Sequence, residues 1–151
     1  MTFTLERVRY DSALAQQLIE ELQEEYVLRY GGPDETPVDP GEFEPPRGSF
    51  LLAYRDGVLV GCAGMRARSE SDVEVKRMFV RRPFRGRGYA RELLTLVEEE
   101  ARSLGYSRVL METGGAQPEA MGLYESSGYK RIPGFGHYRN EPQNRCYAKT
   151  L

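Results

Sequence analysis

Apolar and polar residues alternate with two different periods along this chain, and the changes of period divide it into elements. Phe3-Thr4-Leu5-Glu6-Arg7-Val8 alternates every second residue, which predicts a short first strand. Asp11-Ser12 then offers an N-cap, and Leu14, Leu18, Ile19 and Leu22 recur at helical spacing until Gly31-Gly32-Pro33 stops the helix near Tyr30. The other face of this helix carries Glu20, Glu21, Glu24 and Glu25, the composition of a solvated surface. Residues 31–48 have no period and hold five prolines and five acidic residues. They predict a surface loop with a helical turn near Val38–Phe43, serving either a function or only as a solvated connector.

The strand period returns on both sides of Arg55-Asp56-Gly57, where Ser49–Tyr54 and Val58–Met65 predict a β-hairpin. After a turn at Ser69–Asp72, the apolar strand Glu74–Phe79 runs into Val80-Arg81-Arg82-Pro83-Phe84-Arg85-Gly86-Arg87-Gly88. A helix follows, with Ala90, Leu93, Leu94, Val97, Ala101 and Leu104 on one face and Gly105 at its end. Ser107–Thr113 reads as the next strand. Strand, helix and strand within so short a span form a βαβ unit, so the two strands are expected to be parallel neighbours. A helix from Pro118 to about Ser127, a strand at Tyr129–Ile132, a Gly/Pro-rich turn over Pro133–Glu141 and a closing strand at Arg145–Leu151 complete the chain.

The glycine turn between strand and helix carries the first chemical information. Glycine permits a tight turn and close approach to a ligand, and the following helix aims unpaired N–H groups and its positive end there. That arrangement suits a phosphate or pyrophosphate. The turn has neither the Gly-Lys-Ser/Thr of a P-loop nor the Gly-x-Gly-x-x-Gly of a dinucleotide fold.

Composition narrows the classes further. The 151 residues are 40% hydrophobic and 29% charged, ordinary for a single globular domain spanning 1–151. Seven bases fall between Lys76 and Arg91, a patch that could suggest RNA. A net charge of −2 and the lack of an aromatic stacking platform argue against nucleic acid. There is no apolar run of about 18 residues and no long apolar core at the N-terminus, so neither a membrane partner nor a signal peptide is expected. Cys62 and Cys146 match no metal spacing and read as buried thiols in a reducing cytoplasm.

Taken together, this order of elements resembles the GNAT N-acetyltransferase superfamily over almost the whole chain. The family's pyrophosphate signature, Gln/Arg-x-x-Gly-x-Gly/Ala, is matched by Arg85-Gly86-Arg87-Gly88-Tyr89-Ala90. A second block, Gln117-Pro118-Glu119-Ala120-Met121-Gly122-Leu123-Tyr124-Glu125-Ser126-Ser127-Gly128-Tyr129, resembles the family's Asn-x-x-Ala-x-x-Leu-Tyr-x-x-x-Gly-Phe, with Gln117 in place of the asparagine. The resemblance implies an α/β fold. Its mixed central sheet would have about six to seven strands, a splayed parallel pair and about four helices. It also implies acetyl-CoA as co-substrate, no metal, and a homodimer in many members.

Residue by residue, the resemblance implies coenzyme A contacts from Met78, Phe79, Val80, Arg85, Gly86, Arg87, Gly88, Tyr89, Ala90, Gln117 and Tyr124. Backbone groups near Phe79 and Val80 would meet the pantetheine arm and the thioester carbonyl. Tyr124 would protonate the departing thiolate, with core packing as its competing role. Glu74 aligns with the family's strand-four base, and a salt bridge to Lys76 on the same strand face is its alternative. His137, the only histidine, reads as an exposed loop residue, with an acceptor contact or a backup base as its alternatives.

The implied reaction is acetyl transfer to a primary amine by direct attack in a ternary complex, since neither cysteine stands in a motif suited to a covalent intermediate. A small-molecule amine is the leading acceptor, with a protein lysine or N-terminus second. A non-catalytic acyl-CoA-binding module would keep the glycine turn without needing Tyr124. Acidic residues in 31–48 would suit a cationic acceptor, while Arg66, Arg68 and Arg77 would suit an acidic one.

Overall fold

The computed structural model describes residues 2–151. Seven strands form one sheet in the order β1-β2-β3-β4-β5-β7-β6. They are β1 (Phe3–Arg7), β2 (Gly48–Arg55), β3 (Val58–Ala67), β4 (Asp72–Val80), β5 (Arg108–Gly114), β6 (Lys130–Ile132) and β7 (Asn144–Thr150). The helices are α1 (Ala13–Tyr30), α2 (Tyr89–Ser103) and α3 (Pro118–Ser126). The turn foreseen near Val38–Phe43 is a 3-10 turn at Pro40–Phe43. The β2–β3 hairpin closes through Asp56 and Gly57, both at positive φ (50° and 81°), the pairing that matches strand twist. Among the described residues no helix is long and apolar enough to cross a membrane.

The parallel contact is between β4 and β5, and it stops early. Pairing runs from Asp72↔Arg108 to Val75↔Met111, yet β4 continues to Val80 and β5 to Gly114. Beyond Val75 the strands part.

Both faces of the sheet are covered, so β4 is buried along most of its length even though it carries Glu74, Lys76 and Arg77. Val73, Val75, Val109 and Met111 pack against Leu93, Leu94, Val97 and Ala101 of α2 and Tyr124 of α3. Phe50, Leu52, Cys62 and Phe79 pack on the other side against Leu18, Ile19 and Leu22 of α1. Two positions of α1 differ from the sequence expectation. Leu14 is largely exposed at 43%, and Glu25, expected in solvent, is buried. Leu18, Leu22 and Glu25 follow i, i+4, i+7, so Glu25 continues the buried stripe as α1 crosses the end of β4.

The 31–48 segment is a largely exposed surface loop anchored at a few buried side chains. Phe43 is fully buried, stacks on Tyr10 at 4.6 Å and meets Phe50 edge-on at 6.2 Å. Burying such a side chain contributes about 1.5–3 kcal/mol, enough to hold a short segment against its own flexibility. Thr36 is buried as well, and Asp34 reaches Lys76 and Arg77 of the central strand β4.

Candidate active site

The parting of β4 from β5 is reinforced by a bulge. On β3 the step from Cys62 to Gly64 is two residues, whereas on β4 the matching step from Phe79 to Lys76 is three. The extra residue bends β4, and Arg77 takes a φ of 58°, a left-handed conformation that costs a non-glycine residue about 1–2 kcal/mol. Two contacts hold it there: Arg77 forms an ion pair with Asp34, and its carbonyl accepts from the Cys62 thiol at 3.2 Å.

A cavity of about 890 Å3 occupies the gap. Its walls come from β4 at residues 75–80, the glycine turn with the first turn of α2, β5 at residues 111–114, and α3. The end of α1, residues 32–35, Tyr138 and residues 141–144 narrow the far end.

The glycine turn forms one rim. Gly86 and Gly88 have φ values of 77° and 80°, and nothing stands within 4 Å of where a Cβ would sit. Conformation, not space, demands glycine there. Gly88 is the N-cap of α2 and brings no capping side chain, so the amides of Tyr89, Ala90 and Arg91 begin the helix without one. All three residues line the cavity.

Arg85 is already engaged as a strut. Its Nε donates to the Val80 carbonyl at 2.9 Å, and its Nη1 lies 2.7 Å from Glu25 Oε1. Its guanidinium also sits over the Phe79 ring at 5.2 Å. Arg87 does not line the cavity; its guanidinium lies over Phe84 at 6.0 Å. Met78, Phe79 and Val80 line the cavity along the edge of β4 that β5 has left.

Tyr124 reaches the cavity from α3, with its ring edge-on to Tyr147 at 5.7 Å and tilted against Tyr129 at 5.9 Å. Among the described residues its hydroxyl has no hydrogen-bond partner. Burial pushes its phenol well above the ordinary tyrosine range, and the proton stays on oxygen at neutral pH. Gln117, the N-cap of α3, also lines the cavity, and its carboxamide oxygen accepts from Tyr30 and Thr113, each at 3.1 Å.

Glu74 is placed elsewhere. It is 1% exposed, does not line the cavity, and lies 3.1 Å from Arg66 Nε and 3.8 Å from Arg68. Arg66 donates in addition to Glu42 at 3.2 Å and to the Pro37 carbonyl at 3.0 Å. The salt bridges of Glu74 therefore go to β3 rather than to Lys76. Glu74→Gln is expected to keep kcat near the wild-type value at the pH optimum while destabilising the fold by about 3 kcal/mol, as buried Arg66 loses one of its two countercharges. Thermal unfolding and a pH–rate profile of the variant check both halves. His137 is exposed and packs only edge-on to Tyr138, away from the lining.

The structure adds residues that sequence reading passed over. Lys76, Asp34 and Glu112 meet at the far end of the cavity. Burial pushes the Asp34 carboxyl up, but the charges of Lys76 and Arg77 and hydrogen bonds from Thr36 outweigh it, leaving it well below the usual carboxylate range. A signal for Lys76 and Glu112 existed. Strands covered on both faces seldom carry charges, and sites in such sheets gather at the carboxyl ends of parallel strands.

Known proteins with this arrangement are numerous. An IAA acetyltransferase from Azospirillum brasilense is 37% identical over 136 residues, 89% of each chain. The fold is shared with a structure solved as a candidate acyl-CoA N-acyltransferase from Klebsiella pneumoniae, at a TM-score of 0.81, 24% identity and coverage of 99% and 98%. It is shared too with a GNAT family acetyltransferase from Elizabethkingia anophelis with acetyl-CoA bound, at a TM-score of 0.70, 17% identity and the same coverage. The profile of the Acetyltransferase (GNAT) family matches residues 15–129. A glycine turn that opens α2 beside parted parallel strands, with this family match, makes the chain a member of the Acetyltransferase (GNAT) family, the acyl-CoA-dependent N-acyltransferases.

Proposed function

We propose that this member transfers an acetyl group from acetyl-CoA to a primary amine on a small molecule, by direct attack within a ternary complex. The observation that carries the reading is that one cavity collects three things. They are the uncapped amides at the start of α2, the free edge of β4, and the unpartnered hydroxyl of Tyr124. The amides of Tyr89, Ala90 and Arg91 suit a pyrophosphate, and the positive end of α2 adds to their pull. Acetyl-CoA supplies an activated thioester. The β4 edge past Val75 offers unpaired backbone groups to the pantetheine amides and to the oxygen that gains charge on attack. Tyr124, protonated at neutral pH, donates its proton to the sulfur as the C–S bond breaks. The acetyl-CoA bound in the Elizabethkingia anophelis structure supports the choice of donor.

Several observations favour a compact neutral or cationic acceptor. Residues 32–35 with Tyr138 and 141–144 narrow the cavity around Lys76 and Glu112, which suits a small molecule better than a folded protein surface. Arg66 is paired with Glu74 and Glu42, and Arg77 with Asp34, so each already has a countercharge in the protein. Initial rates with both substrates varied test the order of events: intersecting double-reciprocal lines are expected. Parallel lines, the sign of an acetylated enzyme, would contradict direct attack. Faster acetylation of lysine peptides than of any free amine would contradict the small-molecule acceptor.

A further inference from the structure

Opposite the glycine turn, the cavity wall holds charged side chains brought in from separate segments of the chain. Val75 and Met111 are the last paired residues of β4 and β5, and Lys76 and Glu112 follow them directly. Their side chains meet at 3.6 Å, Nζ to Oε1, so a side-chain contact spans the strands where backbone pairing ends. The other Glu112 oxygen accepts from Asn144 Nδ2, at the start of β7, at 2.9 Å. One carboxylate oxygen is thereby fixed, and Oε1 has only a contact too long for a hydrogen bond. The side chain is 9% exposed and lines the same cavity as Tyr124.

We propose that Glu112 is the general base that removes the proton of the acceptor amine, with Asn144 and Lys76 as its positioning residues. The assignment rests on the amine-transfer reading above. An amine of ordinary basicity arrives as an ammonium ion, since a lysine-like amine has a pKa of about 10.4. Glu112 Oε1 takes one N–H proton, freeing the nitrogen lone pair, which forms the C–N bond to the thioester carbonyl. The adduct then expels sulfur. The C–S pair stays with the thiolate, which takes the Tyr124 proton, and the second N–H proton restores Tyr124 through solvent. The proton on Glu112 leaves to water, so one proton is released per turnover.

The charged and polar surroundings of Glu112 fit this role. Lys76 and Glu74 face it from β4, Asp34 from the 31–36 segment, Asn144 and Cys146 from β7, and the Gly136 backbone passes nearby. Burial pushes the Glu112 carboxyl up, Lys76 and Asn144 pull it back, and Glu74 and Asp34 add to the rise. The net displacement is upward, toward neutral pH, where a base works best. Lys76 keeps Glu112 ionised enough to act, and its ammonium is itself shared with Asp34 at 3.5 Å. Glu74, pinned by Arg66 away from the lining, has no such access.

The test compares Glu112→Gln with the wild-type chain on an alkylamine acceptor and on its alkoxyamine analogue, which is unprotonated at neutral pH. With the alkylamine, kcat/KM is expected to fall about 10²–10⁴-fold, while the alkoxyamine loses less than about tenfold because no proton must be removed before attack. Acetyl-CoA Kd should stay within about twofold, which separates lost chemistry from lost structure. Independently, Lys76→Met should move the acid limb of the pH–rate profile upward. Removing a cation raises the carboxyl pKa, and activity is lost as pH falls through it. Equal losses on both acceptors, or an acid limb unmoved by Lys76→Met, would overturn the assignment while leaving acetyl transfer intact. A wild-type chain that acetylates no amine would overturn both.

Discussion

Tyr124→Phe is expected to lower kcat by about 10²–10⁴-fold while acetyl-CoA binds with nearly unchanged affinity. The hydroxyl is the only group the substitution removes. The ring keeps its contacts with Tyr129 and Tyr147, so the α3 side of the core remains packed. Among the described residues that hydroxyl has no partner to orphan, and Tyr124 lines the cavity, so its loss should cost little stability. Its proposed role lies in the departure of sulfur. A thiol has a reference pKa of about 8.5, so a thiolate leaves far more readily when a donor stands beside it. The phenol is neutral at pH 7 in any case, and burial raises its pKa further. Steady-state kinetics with calorimetric titration of acetyl-CoA separate the two effects, and an unchanged kcat would remove Tyr124 from the acid role.

Asp34→Ala is expected to cost about 3–5 kcal/mol of folding stability, the largest single loss outside the apolar core. Asp34 is the countercharge for two cations on β4. Arg77 and Lys76 have side chains only 3% and 6% exposed, and both reach its carboxylate. Without it, Arg77 would sit buried and uncompensated at the left-handed position that creates the β4 bulge. The native wild-type protein should show the same dependence through pH. The Asp34 carboxyl is depressed in the folded state, so its contribution is complete above the unfolded pKa of about 3.9. It is lost as pH falls below that value. Chemical denaturation of wild type and Asp34→Ala at neutral pH and near pH 3 measures this, and the gap between them should narrow in acid. A gap that stays constant with pH would show that the loss comes from packing rather than from the ion pairs.

The elements and the donor side were legible in the chain because each rests on a local rule. Period-two runs, an Asp-Gly hairpin, and two glycines ahead of an amphipathic helix specify their conformations within a few residues. The Tyr124 block lies on one helix, so its exposure to the cavity followed from its neighbours. The acceptor side was less legible because it is assembled from distant segments. Asp34 comes from a stretch without any period, held against β4 by non-local contacts such as the buried Phe43 and Thr36 and the Asp34 ion pairs. Glu74 and Glu112 are both acids within apolar strands. What separates them is that Glu74 precedes the parting of β4 and β5, whereas Glu112 follows it. Strand alternation carries no information on where pairing stops. Arg85 illustrates the same limit, since a basic residue in a phosphate signature is also a strut between Glu25 and the Val80 carbonyl.

The glycine turn at Arg85–Ala90 and the hydroxyl of Tyr124 matter because they face one space, and that juxtaposition is the core of the account. It is tested most directly by incubating the protein with acetyl-CoA and a panel of small primary amines, following free thiol release together with acetylated product by mass spectrometry. The account predicts thiol and N-acetylated amine in equal amounts for at least one member of the panel. Binding of coenzyme A with no amine acetylated would contradict it.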